Sequence, residues 1–330
     1  MSGGSCKLGW IGHNIPCDVN HFIITRRYAN QNAFQLNYDP KSVNEDTVTI
    51  RIGHSPDPDD AFMFHALTNG TIDTGNRRYE HVLVDIDTLN REAELGSFEV
   101  SAVSIHSYPK ISDFYYLMNC GASMGEGYGP ILISKKKMSV EEANSSVIAI
   151  PGKSTSSYLA LLLALGEVDV VEVPFDQILP GVLSGKYDSG VIIHEGQLTW
   201  SDEGAFMVLD LGVWWNEETG LPLPLGGNIV RKDLGESLCE QICDDIKRSI
   251  EFSLENPGDA LKDAIKWGRG IDEGTNEEFV RMYVNRRTID YGKDGRRAVR
   301  MFLERGVGLG LVRSDFDASV LKFIGAGEHD

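Results

Sequence analysis

The sequence predicts an α/β protein of two lobes, and three observations carry that reading. A strand–helix–strand rhythm repeats from residue 47 onward, the pattern of a mainly parallel sheet covered by helices. The chain has 330 residues, 42% of them hydrophobic, enough for one large core or two modest ones. A Pro-rich segment, Leu221-Pro222-Leu223-Pro224-Leu225-Gly226-Gly227, reads as a stiff return of the chain from a second unit to the first.

The elements follow in order. Residues 1–45 show no sustained period and end in the turn-like Asn37-Tyr38-Asp39-Pro40, so they form an N-terminal extension. Val48 to Gly53 alternates as a strand, and His54-Ser55-Pro56-Asp57-Pro58-Asp59-Asp60 makes a turn. Phe62, Met63, Ala66 and Leu67 then share one helical face, stopped by Gly70. Asp57, Asp59 and Asp60 stand at that helix start, where the dipole favours negative charge, although capping accounts for only one or two of them. Val82 to Ile86 and Ser101 to Ile105 are strands flanking a short helix from Leu89 to Leu95. Four glycines at 121, 125, 127 and 129 make a segment that wraps a ligand closely, a hinge, or an ordinary mobile loop.

A second unit begins with the strand Val147 to Ile150, the turn Pro151 to Ser157 and an apolar helix from Tyr158 to Leu165, closed by Gly166. Val168 to Val173 is a strand, Phe175 to Leu183 a helix, and Ser189 to Ile193 a strand that delivers His194. After the Pro-rich return, Leu238, Ile242, Ile246, Ile250 and Leu254 recur every four residues, a long amphipathic helix ended by Asn256-Pro257. The remainder to about Phe323 reads as mostly helical.

Charge and composition exclude several functions. With 49 acidic against 31 basic residues the net charge is −18, which repels phosphate backbones and anionic membrane faces. Neither nucleic acid nor a membrane is an expected partner, whereas a helix N-terminus can still hold a small anion. No apolar run reaches the roughly 18 residues of a spanning helix, and the first thirty residues lack a secretion signal, so a cytoplasmic location is expected. Cys6, Cys17, Cys120, Cys239 and Cys243 are odd in number and mostly far apart, unlike a disulfide framework. Cys239 and Cys243 lie four apart on a helix and read as small buried apolar residues rather than metal ligands.

The chemistry candidates gather on one sheet edge. His194 stands where a buried strand meets a polar turn, the place where an open α/β sheet keeps its ligands. It is either a general base or a hydrogen-bonded core histidine; His54, His65 and His106 supply no recognisable metal set with it. If strand geometry persists, Glu195 points the opposite way. Ser154-Thr155-Ser156-Ser157 exposes hydroxyls and free N–H groups at a helix start, suited to a carboxylate or phosphate, and lacks the spacing of a P-loop. No Gly-x-Ser-x-Gly elbow is present.

Several runs together resemble the 1,4-dihydroxy-6-naphthoate synthase family. They are Ser55 to Phe62, Gly129-Pro130-Ile131-Leu132, Ile193-His194-Glu195-Gly196-Gln197-Leu198-Thr199, Asp210 to Trp215 and Gly220 to Gly226, in matching order and spacing over most of residues 47–320. The resemblance implies a fold like type II periplasmic binding proteins, with lobes of residues 46–133 plus 229–330 and of 134–228 around a ligand cleft. It implies cleavage of cyclic dehypoxanthine futalosine, a small anionic aromatic precursor, to 1,4-dihydroxy-6-naphthoate and a three-carbon sugar fragment in the futalosine route to menaquinone. His194 falls on the proton acceptor; Ala102, Val103, Ser104, Ser154, Thr155 and Asp60 fall at or beside substrate contacts; no metal or organic cofactor is implied. The chain departs from the best-known form, which has Lys-Leu-Ser at 102–104, His-Thr at 154–155, and Cys and Asn where Asp57 and Asp59 stand. The rival readings are a cytoplasmic small-anion binding protein of the same fold and the related chorismate dehydratase. Oligomeric state is open, and Trp214-Trp215 fits an interface, a hinge or the core.

Overall fold

The computed structural model describes residues 47–266 and 272–325, and the N-terminal extension lies outside them. Two sheets organise these residues. The larger is built from β1 (Val48–His54), β2 (Arg77–Leu83), β3 (Val100–Ser104), β4 (Tyr115–Met118), β5 (Ser123–Gly125), β11 (Leu223–Arg231) and β12 (Phe323–Ile324), in the order β12-β4-β11-β3-β1-β2 with β5 also paired to β11. The smaller holds β6 (Ile131–Ser134), β7 (Ile148–Ile150), β8 (Val170–Glu172), β9 (Ser189–Ile192) and β10 (Phe206–Asp210), in the order β10-β6-β9-β7-β8. The expected parallel ladders are present at β2-β1-β3 and at β8-β7-β9. Strands next to the crossings run the other way: β11 is antiparallel to β3, β4 and β5, and β6 is antiparallel to β9 and β10. The boundaries read from sequence at 133/134 and 228/229 fall inside β6 and β11.

Helices cover the sheets where the sequence is periodic. In chain order the principal ones are α1 (Pro58–Met63), α2 (Ile86–Glu94), α3 (Ser156–Leu165), α4 (Leu211–Thr219), α5 (Glu236–Glu255), α6 (Glu273–Tyr283) and α7 (Gly292–Gly308). On α5, Ile242, Ile246 and Ile250 are fully buried, each contributing roughly 1.5–3 kcal/mol of apolar burial. Cys239 and Cys243 lie on the same buried stripe as free thiols. Helix α3 is apolar on most of its circumference because it packs among other elements on several sides: Leu159, Ala160 and Leu161 are fully buried, and Gly166 ends it with φ +77°. The segment Phe175 to Leu183 forms a 3-10 turn over Phe175–Gln177 and then a helix over Ile178–Ser184.

The two chain crossings meet. Gly129 and Pro130 enter the smaller sheet beside Asp210-Leu211-Gly212, which leave it, and the Leu211 N–H donates to the Pro130 carbonyl at 3.0 Å. Asp210 caps α4 by accepting from the N–H groups of Gly212 and Val213. Trp215 on α4 belongs to the core: it is fully buried, donates Nε1–H to the Pro222 carbonyl and stacks edge-on to Phe302 at 5.4 Å. The Pro-rich return becomes β11, with a register shift between Pro224 and Gly226 where proline has no N–H for the ladder. The glycine segment at 121–129 is partly strand, β5, rather than loop throughout.

A Cβ on Gly212 would lie 1.9 Å from the Tyr128 carbonyl oxygen, so the crossing chains approach as closely as backbone allows. Gly212→Ala is expected to cost about 2–4 kcal/mol, read as a lower midpoint in urea unfolding.

Candidate active site

The cavity of interest opens where β1 and β3 end in the larger sheet, facing the start of α3 and the end of β9 in the smaller. Ala102, Val103 and Ser104 line it together with Thr155, Ser156 and Ser157, and so do Asp57, Asp59 and Asp60. Both sheets present the carboxyl ends of parallel strands here, where strand and helix diverge and leave a crevice.

Ser104 is positioned by Asn90, a fully buried residue of α2 that sequence reasoning missed. Its Oδ1 accepts the Ser104 N–H at 2.8 Å, and its Nδ2 donates to Ser104 Oγ and Ser154 Oγ, both at 3.1 Å. These bonds use the acceptor side of the Ser104 hydroxyl and leave its proton for the cavity. An Asn on the apolar face of an amphipathic helix, between Leu89 and Ala93, was the available signal.

The Ser/Thr turn is spent largely on the protein itself. Ser154 donates to Asp87 Oδ1 at 2.7 Å and does not line the cavity. The Thr155 hydroxyl donates to the Gly152 carbonyl at 2.7 Å and caps α3 by accepting the Tyr158 N–H. Ser156 donates to the Leu225 carbonyl at 2.5 Å and accepts the His106 N–H at 3.2 Å, which fastens α3 to β11. What this turn offers a ligand is chiefly its backbone N–H groups, at the positive end of a ten-residue helix.

The acids are more than helix-start decoration. Asp57 occupies the N-cap position of α1 without a side-chain capping bond. Asp60 is buried, and its Oδ2 accepts the Ser55 N–H at 2.7 Å. Burial pushes its carboxyl up to about 7, the Asp57 charge adds to the shift, and the Ser55 N–H opposes it. Burial, then the neighbouring Asp60 and Asp57, also push Asp59 well above the ordinary carboxylate range. Among the described residues lining the cavity there is no Lys, Arg or His.

His194 sits in the turn after β9, between Ile193 and Gln197, both of which line the cavity. Its ring meets Phe175 edge-on at 5.5 Å, and Nδ1 accepts the Gly196 N–H at 2.9 Å. Because β9 ends at Ile192, strand alternation does not reach Glu195: its Oε2 lies 3.9 Å from His194 Nδ1 instead of on the opposite side. A second missed feature spans the cleft. Tyr283 of α6 donates to Gln197 Oε1 at 2.7 Å, with both side chains buried and both lining the cavity. Its phenol stays a neutral donor, its pKa pushed up by burial. Tyr283 and Gln197 belong to different lobes and lie 86 residues apart in sequence, so no local pattern announces them.

Residues 50–307 match the sequence family described as menaquinone biosynthesis. The chain belongs to that family. A 1,4-dihydroxy-6-naphthoate synthase of Thermus thermophilus is 37% identical over 256 residues, covering 77% of this chain and 93% of its own length. A second enzyme of that name, from Streptomyces coelicolor, is 31% identical over 80% of this chain and 95% of its own. The crystal structure of an Archaeoglobus fulgidus protein superposes with a TM-score of 0.77 at 42% identity, covering 80% of this chain and 98% of the other. The alkanesulfonate-binding protein of Xanthomonas axonopodis bound to MOPS superposes at 0.61 with 10% identity, over 80% of this chain and 94% of its own. At that identity the likeness is one of fold, and it gives this family member the two-lobed architecture of periplasmic binding proteins. Among the described residues no three His, Cys, Asp or Glu side chains gather as metal ligands, and no helix is long and apolar enough to cross a membrane.

The Asp60 carboxyl gives stability a definite pH dependence. Between about pH 4 and 7 the folded protein holds a proton that the unfolded chain has lost, so stability falls as pH rises through that window and stays lower above it. Asp60→Asn removes the penalty: relative to wild type it is expected to gain about 2–4 kcal/mol at pH 8 and little at pH 4, measured by thermal unfolding of the ligand-free protein.

Proposed function

We propose that this protein is a 1,4-dihydroxy-6-naphthoate synthase, a carbon–carbon lyase that converts cyclic dehypoxanthine futalosine to 1,4-dihydroxy-6-naphthoate and a three-carbon sugar fragment. The observation that carries the reading is the meeting of Ala102-Val103-Ser104, Thr155 and the His194 turn around one cleft, in a chain 37% identical to an enzyme of that name. The substrate's carboxylate is taken up by the Ser104 hydroxyl and the N–H groups that open α3, and its hydroxylated sugar end meets Asp57, Asp59 and Asp60. Ser154 contributes by holding Asn90 rather than by touching the ligand.

His194 is the proposed proton acceptor. Removal of a hydroxyl proton starts a retro-aldol-like cleavage, the C–C bond breaks, and its electron pair remains in the ring system that becomes aromatic. Aromatisation supplies driving force; the protein supplies orientation, exclusion of water and the base. With Nδ1 accepting from Gly196, the neutral ring carries its proton on Nε2. The turn therefore has to release that bond before a basic nitrogen meets the substrate. A cytoplasmic location is part of this reading. So is a small anionic substrate as ligand, without nucleic acid, membrane or cofactor.

One observation favours a second assignment of the base within the same reaction. Asp60 is among the residues lining the cavity and burial pushes its carboxyl up to about 7, whereas His194 is not among them. Incubation with cyclic dehypoxanthine futalosine, followed by mass spectrometry of 1,4-dihydroxy-6-naphthoate, tests both. With His194 as base, His194→Ala loses about 10²–10⁴-fold in kcat and keeps its fold. An active His194→Ala with a correspondingly impaired Asp60→Asn transfers the role to Asp60. Absence of product from wild type overturns the synthase reading.

A further inference from the structure

Asn228 stands in the middle of β11, 1% exposed, with its side chain on the cavity wall. Buried amides ordinarily find partners, because a polar group withdrawn from water and left unmet loses more than a hydrogen bond gains. Among the described residues the Asn228 side chain has no partner: Nδ2 is enclosed without an acceptor.

The surroundings are cleared for it. Asn228 pairs in register with Ala102 on β3, and cross-strand partners present their side chains on the same face. Two residues back on that face is Gly226, which has no side chain. Gly121 approaches from a third direction so closely that a Cβ there would lie 1.9 Å from Nδ2. A methyl group and two glycines thus border an amide in a cavity wall, where longer residues would have filled the space.

We propose that Asn228 is a specificity-determining residue whose side-chain N–H donates to an acceptor oxygen of the bound substrate, the carbonyl or carboxylate oxygen nearest the larger sheet. The donor sense follows from the composition of the cavity. Its lining holds three carboxyls and, among the described residues, no Lys, Arg or His, so a carboxylated ligand depends there on neutral donors, and a side-chain N–H adds one beside the Ser104 hydroxyl. With no protein bond to break, the carboxamide can rotate by half a turn and bring Nδ2 from Gly121 to the cavity. The identity of the ligand rests on the synthase reading; the unmet amide does not.

The test measures kcat/KM with cyclic dehypoxanthine futalosine for wild type, Asn228→Leu and Asn228→Asp, together with the unfolding temperature of each without ligand. Asn228→Leu is expected to lose about tenfold or more, mainly in KM, and to unfold no earlier than wild type, since no protein hydrogen bond is removed. Asn228→Asp, which sets an acceptor against an acceptor, is expected to lose more. Unchanged kcat/KM in either variant overturns the proposal. So does a Leu variant that unfolds earlier and loses as much activity as the Asp variant, which marks a packing role. If wild type itself makes no product, the synthase reading fails, and thermal stabilisation by 1,4-dihydroxy-6-naphthoate then tests the amide alone. Stabilisation of wild type that Asn228→Leu loses upholds the contact; equal stabilisation of both, or of neither, overturns it.

Discussion

The side chain of Asn90 is the constraint on which the cleft depends. One buried amide holds the end of β3 through the Ser104 N–H and hydroxyl, and reaches across to Ser154 in the turn that opens α3. Ser154 in turn returns to α2 through Asp87. Each bond is modest in net terms, but loss of the amide leaves buried groups unmet at about 1–3 kcal/mol apiece. The arrangement fixes the distance between the two segments that face each other across the cavity. It also explains why the hydroxyl run 154–157 serves the architecture first: Ser154, Thr155 and Ser156 all have protein acceptors, which leaves the helix start as the anion-attracting element.

Charge then shapes what the cleft accepts. A chain of net charge −18 does not draw in an anion from a distance, and the cavity lining compounds this with three carboxyls. Part of the answer lies in two of those carboxyls. Burial raises both Asp59 and Asp60, and with Asp60 pushed up to about 7 a fraction of it is neutral near neutral pH, able to donate as well as accept a hydrogen bond. A ligand with one carboxylate and several hydroxyls is compatible with such a surface, provided its charged end lies toward the helix start.

Much of this was legible in the chain. Period-two alternation at 48–53 and the four-residue spacing from Leu238 to Leu254 predicted β1 and α5, and the strands before the Ser154–Ser157 turn and His194 predicted which edge would carry the cleft. Antiparallel returns at β6 and β11 were not legible, because strand direction within a sheet is a property of long-range pairing. The same holds for Asn90, Tyr283 and Asn228: each is an ordinary residue in a helix or strand, and its meaning comes from partners, or a missing partner, distant in sequence. At His194 the position was readable and the ring orientation was not. A turn beginning one residue early replaced strand alternation with a local contact to Gly196, and placed Glu195 on the same side.

The Tyr283 hydroxyl on Gln197 ties the histidine turn to the larger lobe. The Gln197 N–H donates to the His194 carbonyl, so the residue clasped by the larger lobe is one hydrogen bond removed from the histidine itself. Any parting of the lobes to admit or release a ligand would have to break this clasp. Opening the cleft would therefore disturb the segment that carries His194 through a side chain 86 residues away in sequence.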